Sequence, residues 1–142
     1  MPTWAKVLIV LVVAAILCGG VALYFGIRWA RREVRQLHNE GPSIVAEGNE
    51  FGRRKDGNAC VAEGITRLNR CDGFICETKV RIFLNSCLQT ATVAPEFCKD
   101  VPRVTEIMKT ASWGPAECKR RGAKDMTRCA RVLGAIQEYC SR

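Results

Sequence analysis

The sequence predicts an all-α chain: an N-terminal transmembrane helix, then a small helical-hairpin domain stapled by disulfides. Three observations carry this. Residues 7–26, VLIVLVVAAILCGGVALYFG, run for twenty positions without a charge. Eight of the nine cysteines lie between Cys60 and Cys140, and they recur every eleven positions in CVAEGITRLNRC, CETKVRIFLNSC, CKRRGAKDMTRC and CARVLGAIQEYC. Apolar residues inside those segments recur at steps of three and four, the period of an α-helix.

The uncharged run comes first in the chain. At about 1.5 Å of rise per residue it matches a hydrocarbon core of about 30 Å. Trp4 on one side, and Tyr24, Phe25 and Trp29 on the other, sit where amphipathic rings favour the headgroup boundary. A cleaved signal peptide would have a shorter apolar core, and the small pair Gly20 and Ala22 lies inside a stretch that stays apolar to Ile27. An uncleaved anchor is therefore expected. Leu17 precedes Cys18 where a lipoprotein site needs a small residue, so Cys18 is read as a buried free thiol. Ala15, Gly19, Ala22 and Gly26 follow at intervals of four, three and four, a stripe where a second helix could approach and a homodimer or protein partner could pair through the span.

Beyond the span, Ile27, Ala30, Val34 and Leu37 keep the helical period, so the helix is expected to reach about His38 and to stop at NEGPS. The expected segments are a tail at 1–6, a transmembrane helix at 7–27, a juxtamembrane stalk and linker at 28–42, and the cysteine-rich domain at 43–142.

Eleven residues of α-helix turn about 20° past three full turns, so cysteines at that interval share one face about 16 Å apart and cannot bond to each other. Their partners must lie on another helix. With CDGFIC as a tight connection, Asp72 as the cap of the second helix and Gly73 as the residue tolerating an unusual backbone, residues 60–87 form an antiparallel hairpin. Facing positions in such a hairpin have a constant sum of residue numbers. Cys71 with Cys76 and Cys60 with Cys87 share one sum, 147. In the second half, Gly122 and Ala123 end one helix and Asp125 opens the next, so Cys118 faces Cys129. The outer pair is then Cys98 with Cys140; it is out of register by nine positions, a shift assigned to the interruption SWGP at 112–115.

This nesting resembles the twin-cysteine coiled-helix proteins of the mitochondrial intermembrane space. That family places nine residues between its cysteines and this chain places ten, so the resemblance covers the spacing habit and no function is carried over from it.

No catalytic constellation emerges. CDGFIC is the only close cysteine pair, His38 is the only histidine, and no Cys-x-x-Cys opens a helix, so neither a metal nor another cofactor is expected. Gly48, Gly52, Gly57 and Gly64 form no nucleotide fingerprint, and close helix packing or local breaks account for them. The formal charge is +8, but residues 41–142 exceed neutrality by only five, a surplus compatible with anionic lipid headgroups, an acidic partner or nucleic acid that discriminates poorly among them; nucleic acid is not the expected partner. Arg120, Arg121, Lys124, Arg128 and Arg131 are the candidate face for an anionic partner.

Two signals oppose each other on compartment. Arg28, Arg31, Arg32 and Arg35 just after the span favour a cytoplasmic domain, whereas eight paired cysteines favour an oxidising space. Matched rungs weigh more, so the expectation is a single-pass membrane protein with its C-terminal domain in the periplasm or another oxidising compartment, binding or scaffolding at the cell envelope. The alternatives are a zinc or thiol protein on the cytoplasmic side and an enzyme with an unrecognised site.

Overall fold

The computed structural model describes residues 3–142, with the side chains of all of them except 3, 5–10, 33 and 36. The chain divides into two compact units, Met1–His38 and Asn39–Arg142. Every regular element among the described residues is helical: α1 (Thr3–Arg54), α2 (Gly57–Leu68), α3 (Phe74–Thr90), a 3-10 turn (Pro95–Cys98), α4 (Ile107–Arg120) and α5 (Met126–Cys140). One isolated parallel bridge, Asp56 with Thr92, accompanies them.

The first unit is helical throughout its described length. α1 holds an 18-residue window of mean hydropathy 2.0, none of it buried, so it is long and apolar enough to cross a membrane. Ala15, Gly19, Ala22 and Gly26 lie on its exposed surface, and a Cβ on Gly19 or Gly26 would meet nothing within 4 Å. Cys18 is a free thiol on the exposed surface of α1. Of the tail expected at 1–6, residues 1 and 2 lie outside the described residues, and 3–6 already belong to α1.

The expected stop at NEGPS is corrected: α1 runs through Pro42 to Arg54. A proline inside a helix costs about 3 kcal/mol through a lost hydrogen bond and a clash with the preceding turn. Packing offsets that cost here. Ile44 and Phe51 pack against the core, and Gly48 and Gly52 bring α1 so close to α3 that a Cβ on Gly52 would stand 2.3 Å from the Cys87 carbonyl oxygen. Thr90 Oγ1 donates to the Asn49 carbonyl at 3.0 Å and Lys79 pairs with Glu40 across the contact, while Arg67 of the helix at 57–68 pairs with Glu47.

α2 and α3 form the first hairpin. Asp56 caps α2 by accepting from the Ala59 N–H at 2.8 Å. At the turn Gly73 has φ +81°, in the left-handed region that favours glycine, and it occupies the cap position of α3. Asp72, expected to be that cap, is one residue too early; it lies in solvent and faces Arg128. The cysteines bridge both ends of the hairpin, Cys71 to Cys76 and Cys60 to Cys87, each with Cα atoms 5.9 Å apart.

α4 and α5 form the second hairpin. Gly122 turns it at φ +75°, the Ala123 N–H returns to the Cys118 carbonyl at 3.0 Å, and Asp125 caps α5 by accepting from the Arg128 N–H at 3.0 Å. Cys118 bonds Cys129 and Cys98 bonds Cys140, with Cα atoms 5.9 and 5.4 Å apart. SWGP does not interrupt α4, which continues through Pro115. The register shift is absorbed earlier, because Cys98 sits on the 3-10 turn, outside α4 altogether. Gly114 is buried against Ala130, where a Cβ would come to 3.1 Å from the alanine methyl. One side chain locks the two turns together: Asn69 donates to the Gly122 carbonyl at 3.0 Å and accepts from the Lys124 N–H at 2.8 Å.

Candidate functional site

The five cations expected to face an anionic partner do not form one free surface. Arg128 and Arg131 both turn onto Glu77, whose carboxylate accepts from Arg128 Nε at 2.7 Å and from Arg131 Nε at 3.0 Å and Nη2 at 2.9 Å. Arg128 also donates to the Cys71 carbonyl at 2.7 Å. Burial raises the pKa of Glu77, but the hydrogen bonds and charges of the two guanidinium groups outweigh it and hold the carboxyl below its ordinary value. Arg120 and Arg121 converge in the same way on Glu117, whose carboxyl is likewise raised by burial and lowered further by the two arginines. Lys124 alone of the five is exposed with no carboxylate partner among the described residues.

Among the carboxylates of the sequence, Glu77 carries no motif that sets it apart. The available signal was its position: with Val80, Leu84 and Leu88 it falls at steps of three, four and four on the buried stripe of α3. A charge there has to be paired. Arg67, likewise without a motif, bonds Glu47 and Glu63 and lays its guanidinium 3.8 Å from the centroid of the Phe83 ring.

A cleft of about 210 Å³ opens where the 3-10 turn and the residues after it meet α4 and α5. Phe97, Val101, Trp113 and Ile136 supply its apolar lining, and Glu96 and Asp100 stand among its polar groups. Glu117, Arg120 and Arg121 line the far wall, where Arg121 is pinned between Glu117 at 2.5 Å and the Asn58 side-chain oxygen at 3.2 Å. Trp113, Asp100 and Val101 also wall a second cleft of about 310 Å³ that includes Lys99 and Lys109. Gln137 fixes the segment between them by donating to the Pro102 carbonyl at 3.2 Å and to Thr110 Oγ1 at 2.9 Å. In the sequence Trp113 reads only as part of SWGP; its place in the cleft depends on the 95–101 segment.

In the first unit, Arg28, Arg31, Arg32 and Arg35 recur at three, one and three positions and so share a face of α1. With Tyr24 and Ile27 they border a concavity of about 470 Å³, and Arg28 reaches the Tyr24 hydroxyl at 3.5 Å. His38 is exposed.

Among the described residues, Cys18 is the one free cysteine, and no three His, Cys, Asp or Glu side chains come together as a metal-binding group. No family model, no curated protein and no solved structure matches the chain.

Proposed function

We propose that the chain is a single-pass membrane protein whose cysteine-rich domain stands in the periplasm or another oxidising compartment and serves as a binding or scaffolding module at the cell envelope. One combination carries the proposal: an apolar helix whose hydropathic window has no buried share, joined to a domain crossed by four disulfides. A helix apolar on all sides is stable in lipid and costly in water. Disulfides persist where thiols are not continually reduced. The arginines at 28–35 argue for the opposite orientation, but that bias has exceptions, whereas eight cysteines in four matched pairs favour an oxidising space.

Binding is favoured over catalysis by the state of the converging ionisable groups. Glu77 and Glu117 are locked onto guanidinium groups with their carboxyls held acidic, so neither exchanges protons near neutral pH. Two measurements test the proposal together. Alkaline carbonate extraction is expected to leave the chain in the membrane pellet. Intact mass without reductant is expected to fall short of the reduced mass by the eight hydrogens of four bridges. Reduced thiols carrying zinc would reject this proposal in favour of a cytoplasmic-side zinc or thiol protein.

A further inference from the structure

The carboxylates of the second unit are almost all in use. Glu40, Glu47, Glu50, Glu63, Glu138 and Glu106 pair with lysine or arginine, and Asp72, Glu77 and Glu117 do the same. Asp56 and Asp125 cap helices. Glu96 and Asp100 remain, with no hydrogen bond or ion pair from either side chain among the described residues. Both line the 210 Å³ cleft, four positions apart on consecutive turns of chain. In a protein of net charge +8, these two acids, Asp100 within the electrostatic reach of Arg120, line an apolar cleft with a tryptophan in its wall.

We infer that this cleft takes a lysine or arginine side chain of a protein partner. The inference rests on the binding role proposed above and names the chemistry of the bound group. Pockets for whole small-molecule ligands run to about 300–1,000 Å³, so a space of 210 Å³ suits a single side chain. The aliphatic stem of such a residue lies along Phe97, Val101 and Ile136, its cationic head reaches Glu96 and Asp100, and the face of Trp113 adds a cation–π contact. The cations already in the wall do not fill that place. Arg120 makes two hydrogen bonds to Glu117, at 2.9 and 2.6 Å, leaving only its electrostatic attraction for Asp100, and Arg121 is held by Glu117 and Asn58. Lys99 and Lys109 line the neighbouring cleft, which Asp100 and Trp113 also wall, and neither lysine lines this one.

The test uses the full chain in detergent micelles, with Trp4→Phe and Trp29→Phe leaving Trp113 as the only indole. The probes are the peptide acetyl-Ala-Leu-Arg-Leu-Ala-amide and its twin with citrulline, which keeps the shape of arginine without its charge. The arginine peptide is expected to change Trp113 emission saturably. The citrulline peptide, and the arginine peptide against the Glu96→Gln/Asp100→Asn variant, are each expected to bind about tenfold more weakly. Because both acids are exposed and make no hydrogen bond or ion pair among the described residues, that variant is expected to keep its four bridges, which intact mass verifies. No saturable response below about 10 mM, an equal response to citrulline, or an unchanged response of the double variant overturns the inference. An oxidised, membrane-integrated chain that gives any of those results loses the cleft assignment and keeps the envelope-binding proposal; a reduced, extractable chain loses the proposal itself.

Discussion

Glu77 and Arg128 lie 51 positions apart in sequence and meet at 2.7 Å, Oε1 accepting from Nε, so that an ionic clamp ties the start of α3 to the start of α5. Arg131 closes the same carboxylate from one turn further along α5. The carboxylate is buried and the Arg128 side chain is only 19% exposed, while that of Arg131 is 55% exposed. Removing the acid strands a largely desolvated guanidinium. Glu77→Gln is expected to cost about 2–3 kcal/mol in urea unfolding, and Arg131→Gln about 1 kcal/mol or less. Equal losses would mean that Arg131 is held as firmly as Arg128.

The acids held by arginine give the domain a defined response to pH. Hydrogen bonding to Arg67 lowers the carboxyl of Glu47, while burial raises Glu77 and Glu117 less than their arginines lower them; all three are more acidic folded than unfolded. A depressed folded value contributes stability that is complete above the unfolded value, about 4.3, and is lost as pH falls through the folded value. Urea midpoints followed by circular dichroism are expected to be flat for this contribution from about pH 7 to pH 5 and to decline below about pH 4. The Glu77→Gln variant is expected to decline less steeply.

The four bridges close loops of very different length, with sequence separations of 42, 27, 11 and 5. Chain entropy then orders their contributions at about 4, 3.5, 3 and 2 kcal/mol for Cys98–Cys140, Cys60–Cys87, Cys118–Cys129 and Cys71–Cys76. Paired Cys→Ala variants, each unfolded in guanidinium, check the order. Losing the shortest bridge is expected to be the mildest change.

Two glycines of α1 make a sharp contrast. A Cβ on Gly52 would meet the Cys87 carbonyl and Thr90 Oγ1, both at 2.3 Å, whereas one on Gly41 would meet nothing within 4 Å. Gly52→Ala is expected to push α1 off α3 and cost about 2–3 kcal/mol. Gly41→Ala is expected to stabilise the helix by up to about 1 kcal/mol. Limited proteolysis around residues 44–54 separates the two variants.

By itself the sequence determined the features that depend on local periodicity. An eleven-residue interval returns a cysteine to the same helical face, an antiparallel hairpin keeps facing numbers at a constant sum, and CDG and RGAKD mark turns where Gly73 and Gly122 take positive φ. The apolar run at 7–26 is legible for the same reason, since its meaning needs no neighbour. Tertiary structure decided everything that depends on which distant group arrives at a residue. Pro42 reads as a stop until α3 packs against Gly48 and Gly52 and carries the helix past it. Five cations read as one open face until Glu77 and Glu117 claim four of them. Glu96 and Asp100 look like any surface acids until the pairing of the others leaves these two beside Trp113. Local steric rules act over a few residues and are written in the order of the chain; burial and ion pairing act between surfaces, and the surfaces exist only once the hairpins have packed.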